Sequence, residues 1–205
     1  MRISTSTPPR RTLRADARRS VATILDAGIA TLGERPDASM EEIARAAGLA
    51  RQTVYAHFPS RETLLRAVEE RALAETIAML DAAELHKGPA IEALDRLVRA
   101  GWQTLERYPL LMHLRRDLKP DEELALHQPI LERLQRLIRR GQRSREFDRR
   151  LPTNWLLTSF LALSHAAAEE VAAERMTAQD ALEVLRQSVL RVFGVNPDGS
   201  EGDGD

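Results

Sequence analysis

The chain has no cysteine. That excludes a disulfide framework, a thiolate zinc site and a cysteine nucleophile. Aromatic residues are scarce, 4% of 205 residues. Alanine, leucine and arginine dominate instead, a composition that suits helices rather than sheets. No apolar stretch runs far enough without a charge to span a bilayer, and the opening MRISTSTPPRRTLR lacks the apolar segment of a secretory signal. These absences predict a soluble, cytoplasmic protein with no membrane partner. There is no Gly-rich phosphate loop, no GxSxG, no HExxH and no clustered carboxylate motif, so an enzymatic reading has no motif to stand on. The five histidines, at 57, 86, 113, 127 and 165, show no paired ligand spacing. Neither a metal site nor a cofactor is predicted.

What is present is unevenly distributed. The net charge is −1, yet residues 1–66 sum to +4 and the remainder to −5. A basic front and an acidic back point to a polyanionic partner for the first third only. With 43% apolar residues the chain can bury a sizeable core. The pattern predicts an all-α protein in four parts: a disordered basic arm at 1–13, a helical unit at 14–66, a larger helical domain at 67–195 and a disordered Gly/Asp-rich tail at 196–205.

Punctuation places the helices. From about Asp16, Val21, Ile24, Leu25, Gly28 and Leu32 recur at helical spacing until Gly33 and Pro36 stop them. Ser39-Met40-Glu41-Glu42 reads as a capping box opening a short helix to about Ala47. A second short helix runs from about Ala50 to His57, and Ser60 opens a long one to about Leu85. Beyond HKGP the pattern predicts helices near 89–107, 110–118, 120–145, 153–174 and 178–193, with a kink or break at Pro129. Thr177 to Asp180 forms another cap-like start.

The informative stretch is ASMEEIARAAGLARQTVYAHFPSRETLL, Ala38 to Leu65. Ala44 is small where two short helices would cross, Gly48 suits a left-handed turn, and Val54 is apolar and faces back. That is the steric pattern of a helix-turn-helix, with Ile43, Leu49 and Phe58 completing a small core. In such a unit the second helix enters the major groove of DNA. Arg51, Gln52, Thr53 and Ala56 would then face base edges, arginine suiting guanine and glutamine adenine. Ser39, Tyr55, His57 and Arg61 would hold phosphates, which position without reading sequence. The alternative for Tyr55 and His57 is packing and capping, and for Arg51 and Gln52 simple solvation. Arg10, Arg11 and Arg14 are either an idle tail or an arm tracking phosphates and the minor groove.

This segment resembles the DNA-binding signature of the TetR family of bacterial transcription regulators. The resemblance rests on Ile43-Ala44, Gly48, Thr53-Val54-Tyr55, His57-Phe58, Arg61-Glu62 and Leu64-Leu65. The run at 139–163 is also similar to the start of that family's penultimate helix. Ala50 departs from the usual Ser or Thr cap of the second helix, at a cost of ~1 kcal/mol. The resemblance implies a homodimeric regulator binding a near-palindromic double-stranded operator. It also implies a small-molecule effector, of unidentified chemistry, that releases the DNA.

The larger domain offers candidates for the other roles. Trp102, Tyr108, Met112, His113, Trp155 and His165 are the mix expected around a ligand in a helical bundle, the alternative being ordinary core. Phe160, Leu163, Ala167, Val171, Leu185 and Val189 lie on the last two helices, whose apolar residues cover more than one face. They would form a four-helix dimer interface unless the internal core is simply wider. Residues 133–150 carry eight arginines against Glu146 and Asp148, read as a solvated face rather than a second nucleic-acid surface. The competing function is a ligand-independent DNA-binding or protein-interaction scaffold.

Overall fold

A computed structural model describes residues 10–109 and 120–195, with side chains from 16 to 109 and from 128 to 195. Among the described residues there are eight α-helices and no strand. They are α1 (Arg10–Glu34), α2 (Met40–Ala46), α3 (Arg51–His57), α4 (Arg61–Ala82), α5 (Ala90–Arg107), α6 (Pro120–Ser144), α7 (Thr153–Ala172) and α8 (Ala178–Val192). The expected arm before residue 10, the helix at 110–118 and the tail from 196 lie outside the described residues. The chain divides into two compact units, the first ending at Arg71 and the second beginning at Ala72.

Some boundaries differ from the expectation, α4 ending at Ala82 rather than about Leu85. The first helix begins at Arg10, not near Asp16. Its first turns contain arginine, leucine and alanine, good helix formers that need no apolar stripe. Of the kink or break expected at Pro129, the break does not occur, since α6 continues through it. Pro129 has no N–H, so the helix forgoes one i→i−4 bond there without ending.

In the first unit Ile24 and Leu32 of α1, Ile43 of α2, Val54 of α3 and Leu64 of α4 are fully buried together. The Ser39 capping box forms as its sequence requires. Glu42 N donates to Ser39 Oγ at 3.3 Å, and Ser39 N donates back to Glu42 Oε2 at 2.8 Å. Gly48 sits at φ +66°, and Leu49 N reaches back to Ala44 O at 3.0 Å. The left-handed residue thus turns the chain from α2 into α3 while satisfying the carbonyls of α2.

The second unit is a helical bundle around Leu94, Leu97, Leu134, Ile138, Leu156, Val189 and Phe193. Two arginines fasten the link between α4 and α5. Arg96 donates to the carbonyls of Ala83, Glu84 and Lys87, and Arg140 of α6 donates to those of Leu85, His86 and Gly88. Pro89 cannot cap α5 with its side chain, and Glu146 supplies that function from the α6–α7 link, its Oε2 accepting Ile91 N at 3.1 Å. Burial raises the Glu146 pKa. The Ser144 hydroxyl and the Ile91 and Ala90 amides outweigh it and leave the carboxyl below its ordinary value. Phe147 meets Phe193 edge to face at 5.3 Å, closing the end of the bundle.

Candidate nucleic-acid interface

The third helix is held by one buried side chain, Val54. Phe58 just beyond it is also buried. Seven residues make about two turns, so a single inward anchor leaves most of the cylinder outside. Arg51, Gln52 and Ala56 are exposed, and Thr53, Tyr55 and His57 are half-buried. The backbone at Ala50 is extended, and its side chain makes no cap bond. The amides opening this helix are therefore left without a side-chain partner.

The basic residues are not all equally available. Arg51 Nη1 pairs with Glu41 Oε1 of α2 at 2.8 Å, and its guanidinium carbon lies 5.1 Å from the Tyr55 ring centre. A cation over an aromatic face is attracted by the ring quadrupole. Arg51 is thus pre-positioned at the start of α3 but shared with an acid. Glu41 was not anticipated from the sequence. Ten residues and a turn separate the pair, and only the α2–α3 angle brings them together.

Arg61 also has partners inside the unit. It donates through Nε to Ala38 O at 3.4 Å and through Nη2 to Pro36 O. It is half-buried and fastens the start of α4 to the α1–α2 link through two of its five N–H donors. Ser39 is exposed, and its hydroxyl is engaged with Glu42. The Ser39 amide, then Arg35 and the Ser39 hydroxyl, hold the Glu42 pKa down to about 2. Ser60 and Thr63 form a reciprocal cap at α4, at 3.1 and 3.2 Å. The side chains of Arg10, Arg11 and Arg14 lie outside the described residues.

The helix-turn-helix geometry agrees with known proteins. A sequence profile described as "Bacterial regulatory proteins, tetR family" matches residues 24–68. The chain is 31% identical over 144 residues to the HTH-type transcriptional repressor LfrR of Mycolicibacterium smegmatis, covering 70% of this chain and 74% of that one. The chain belongs to the tetR family. As a tetR-family protein it is a transcription regulator and not an enzyme. It is also 25% identical over 162 residues to the HTH-type transcriptional regulator NfxB of Pseudomonas aeruginosa, across 77% of this chain and 85% of that one. The LfrR structure in complex with proflavine, from Mycobacterium smegmatis, superposes with a TM-score of 0.62 at 26% identity. The match covers 83% of this chain and 95% of LfrR.

Placement in the second unit of this tetR-family chain revises the remaining candidates. Trp102 and Tyr108 are buried, and Trp102 Nε1 has no hydrogen-bond partner among the described residues. His165 is half-buried on α7. Met112 and His113 lie outside the described residues. Trp155, expected in a ligand pocket, is instead 59% exposed. It sits one residue ahead of buried Leu156 on α7, and neighbouring residues on a helix point about 100° apart.

The candidate dimer residues also divide. Phe160, Ala167, Leu185 and Val189 are buried in the chain's own bundle and present little surface to a partner. Leu163 and Val171 are half-buried. The spacing 156, 160, 164 and 167 marks the inward face of α7, and 181, 185 and 189 that of α8. Val184, at 46% exposure, joins Trp155 as a large apolar residue turned outward. Among the described residues no group of three or more His, Asp or Glu is arranged to hold a metal ion, and no helix is long and apolar enough to cross a membrane.

Proposed function

We propose that the chain is a homodimeric, sequence-specific repressor that leaves a near-palindromic operator when a small molecule binds its second unit. The observation that carries the DNA reading is the outward face of α3. Arg51, Gln52 and Ala56 are exposed on a short helix anchored by Val54 behind a Gly48 turn. Residues there reach base edges when such a helix enters the major groove. Tyr55 and His57, half-buried on the same helix, are assigned to phosphates, and Ser39 to a phosphate at the start of α2.

Support for an effector comes from two sides. LfrR, similar along most of its length, has been crystallised with proflavine. In this chain the buried Trp102 indole N–H is unsatisfied among the described residues, and an acceptor on a bound molecule would relieve that cost. Support for a dimer comes from the outward Trp155 and Val184 on the last two helices.

The deciding experiment is selection of bound sequences from a random DNA pool at a stated salt concentration. A near-palindrome with half-sites ~34–36 Å apart, or a multiple of that, supports a dimeric reader. Failure to enrich any sequence would overturn it in favour of a scaffold that binds DNA through charge alone.

A further inference from the structure

A cleft of about 590 Å³ opens in the second unit between α6 and the end of α4 with its following link. Its α6 wall carries Arg133, Arg136, Arg139, Arg140 and Arg143. Offsets of three, seven and ten from Arg133 put Arg136, Arg140 and Arg143 on one side of the helix, with Arg139 beside them. Leu80, Leu85 and Leu137 supply apolar lining, and Asp81 and His86 are the other titratable groups facing it.

The five arginines fall into two sets. Arg133 is committed to Asp81 Oδ1, at 2.8 and 3.0 Å, and to the Pro129 carbonyl. Arg140 is committed to three carbonyls of the α4–α5 link, though its Nε is buried without a partner. These two build the wall. Arg136, Arg139 and Arg143 are exposed and make no hydrogen bond or ion pair among the described residues. Like charges three and four residues apart on a helix destabilise it. One acid, already paired, does not offset the excess.

We propose that this cleft is a binding site for a small organic phosphate. Three free guanidiniums offer forked donors that match phosphate oxygens two at a time, which lysine does not. The volume falls in the range of small-molecule sites, about 300–1,000 Å³, and half-buried Leu85 offers the non-phosphate part an apolar contact. A concave, partly apolar cleft suits a compact ligand better than a duplex, whose phosphates need an extended open face. The site is distinct from the α3 surface and stands whether or not the operator reading holds.

The test is calorimetric titration of the full chain with inorganic pyrophosphate at fixed ionic strength. Three proteins are compared: the wild type, R136A/R139A/R143A, and R18A/R149A/R191A, which makes the same charge change away from the cleft. Circular dichroism checks that each is folded. Saturable binding at one site per chain, weakened at least tenfold in the cleft variant and unchanged in the control, is the expected result. Absence of saturable binding to the wild type, or equal loss in both variants, overturns the proposal. So does a cleft variant that keeps pyrophosphate affinity but loses affinity for random duplex DNA, an outcome that would assign the arginines to nucleic-acid backbone.

Discussion

Arg51 at the head of α3 is bound to Glu41 of α2 at 2.8 Å while lying over the ring of Tyr55. If Arg51 reads a base, as proposed above, it must exchange this carboxylate for guanine. Both partners are well exposed, so the pair is worth only ~0–1 kcal/mol. Glu41→Gln is expected to raise affinity for duplex DNA by up to about fivefold. Arg51→Ala is expected to cost ~1–3 kcal/mol at particular base pairs. Fluorescence anisotropy against the selected operator and single-base variants measures both. Weaker binding by Glu41→Gln would show that the acid orients Arg51 rather than competing for it.

Arg61 leads to a different expectation from its neighbours on the basic front. Its bonds to the Ala38 and Pro36 carbonyls join segments more than twenty residues apart. Removing them leaves part-buried acceptors unpaired, at ~1–3 kcal/mol. Arg61→Ala should therefore lower the melting temperature and reduce the salt slope of DNA binding by less than one. A normal melt with a full unit lost from the slope would return Arg61 to the phosphates.

The acid side of the stability profile should carry the Ser39 cap. Glu42 in the folded protein titrates at about 2, below its ordinary 4.5, because the Ser39 amide, Arg35 and the Ser39 hydroxyl bind the carboxylate. A depressed folded pKa means that the unfolded chain takes the proton first. The stabilisation is complete above the ordinary value and disappears as the pH falls toward 2. Glu42→Gln should be less stable than wild type at pH 7, with the difference closing between about pH 5 and pH 2. Denaturant melts across that range decide it, and a difference independent of pH would remove the carboxylate from the account.

Gly141 is needed for space rather than for backbone freedom. A Cβ there would lie 2.2 Å from the Phe147 ring, which itself packs edge to face on Phe193. Gly141→Ala must displace a buried aromatic, an overpacking cost of typically 1–3 kcal/mol. The expected readout is a lower denaturation midpoint. Gly101→Ala on α5, where a Cβ meets nothing within 4 Å among the described residues, should be neutral or stabilising by about 1 kcal/mol.

The sequence made local features legible and left relational ones hidden. Caps at Ser39 and Thr177 and the Gly48 turn marked the helix ends beside them, because each acts through bonds within four residues. The same signals located the α3 face, since a two-turn helix with Val54 as its inward residue has few orientations. Contacts between distant segments had no such signal. The Arg51–Glu41 pair, the Arg61 bonds and the Arg140 fastening of the α4–α5 link depend on angles between helices. The eight arginines of 133–150 read alike, yet Arg133 and Arg140 are structural and Arg136, Arg139 and Arg143 are free.

The apolar face of the last two helices was ambiguous for the same reason, and it frames the sharpest test of assembly. Leucine and phenylalanine occupy more than one side of α7, so spacing alone did not say which side the bundle claims. Leu156 and Phe160 are taken inward, and Trp155 is left at 59% exposure, with Val184 at 46% on α8. Burying a large apolar side chain is worth about 1.5–3 kcal/mol, so two copies of each across a twofold axis supply the start of a self-complementary interface. Trp155→Arg with Val184→Asp should leave the fold intact by circular dichroism, shift sedimentation to the monomer and weaken operator binding by tenfold or more. Phe160→Ala, by contrast, removes core packing and should cost about 3–5 kcal/mol of stability. If the outward pair changes neither mass nor DNA binding while Phe160→Ala destabilises as expected, the dimer uses another face.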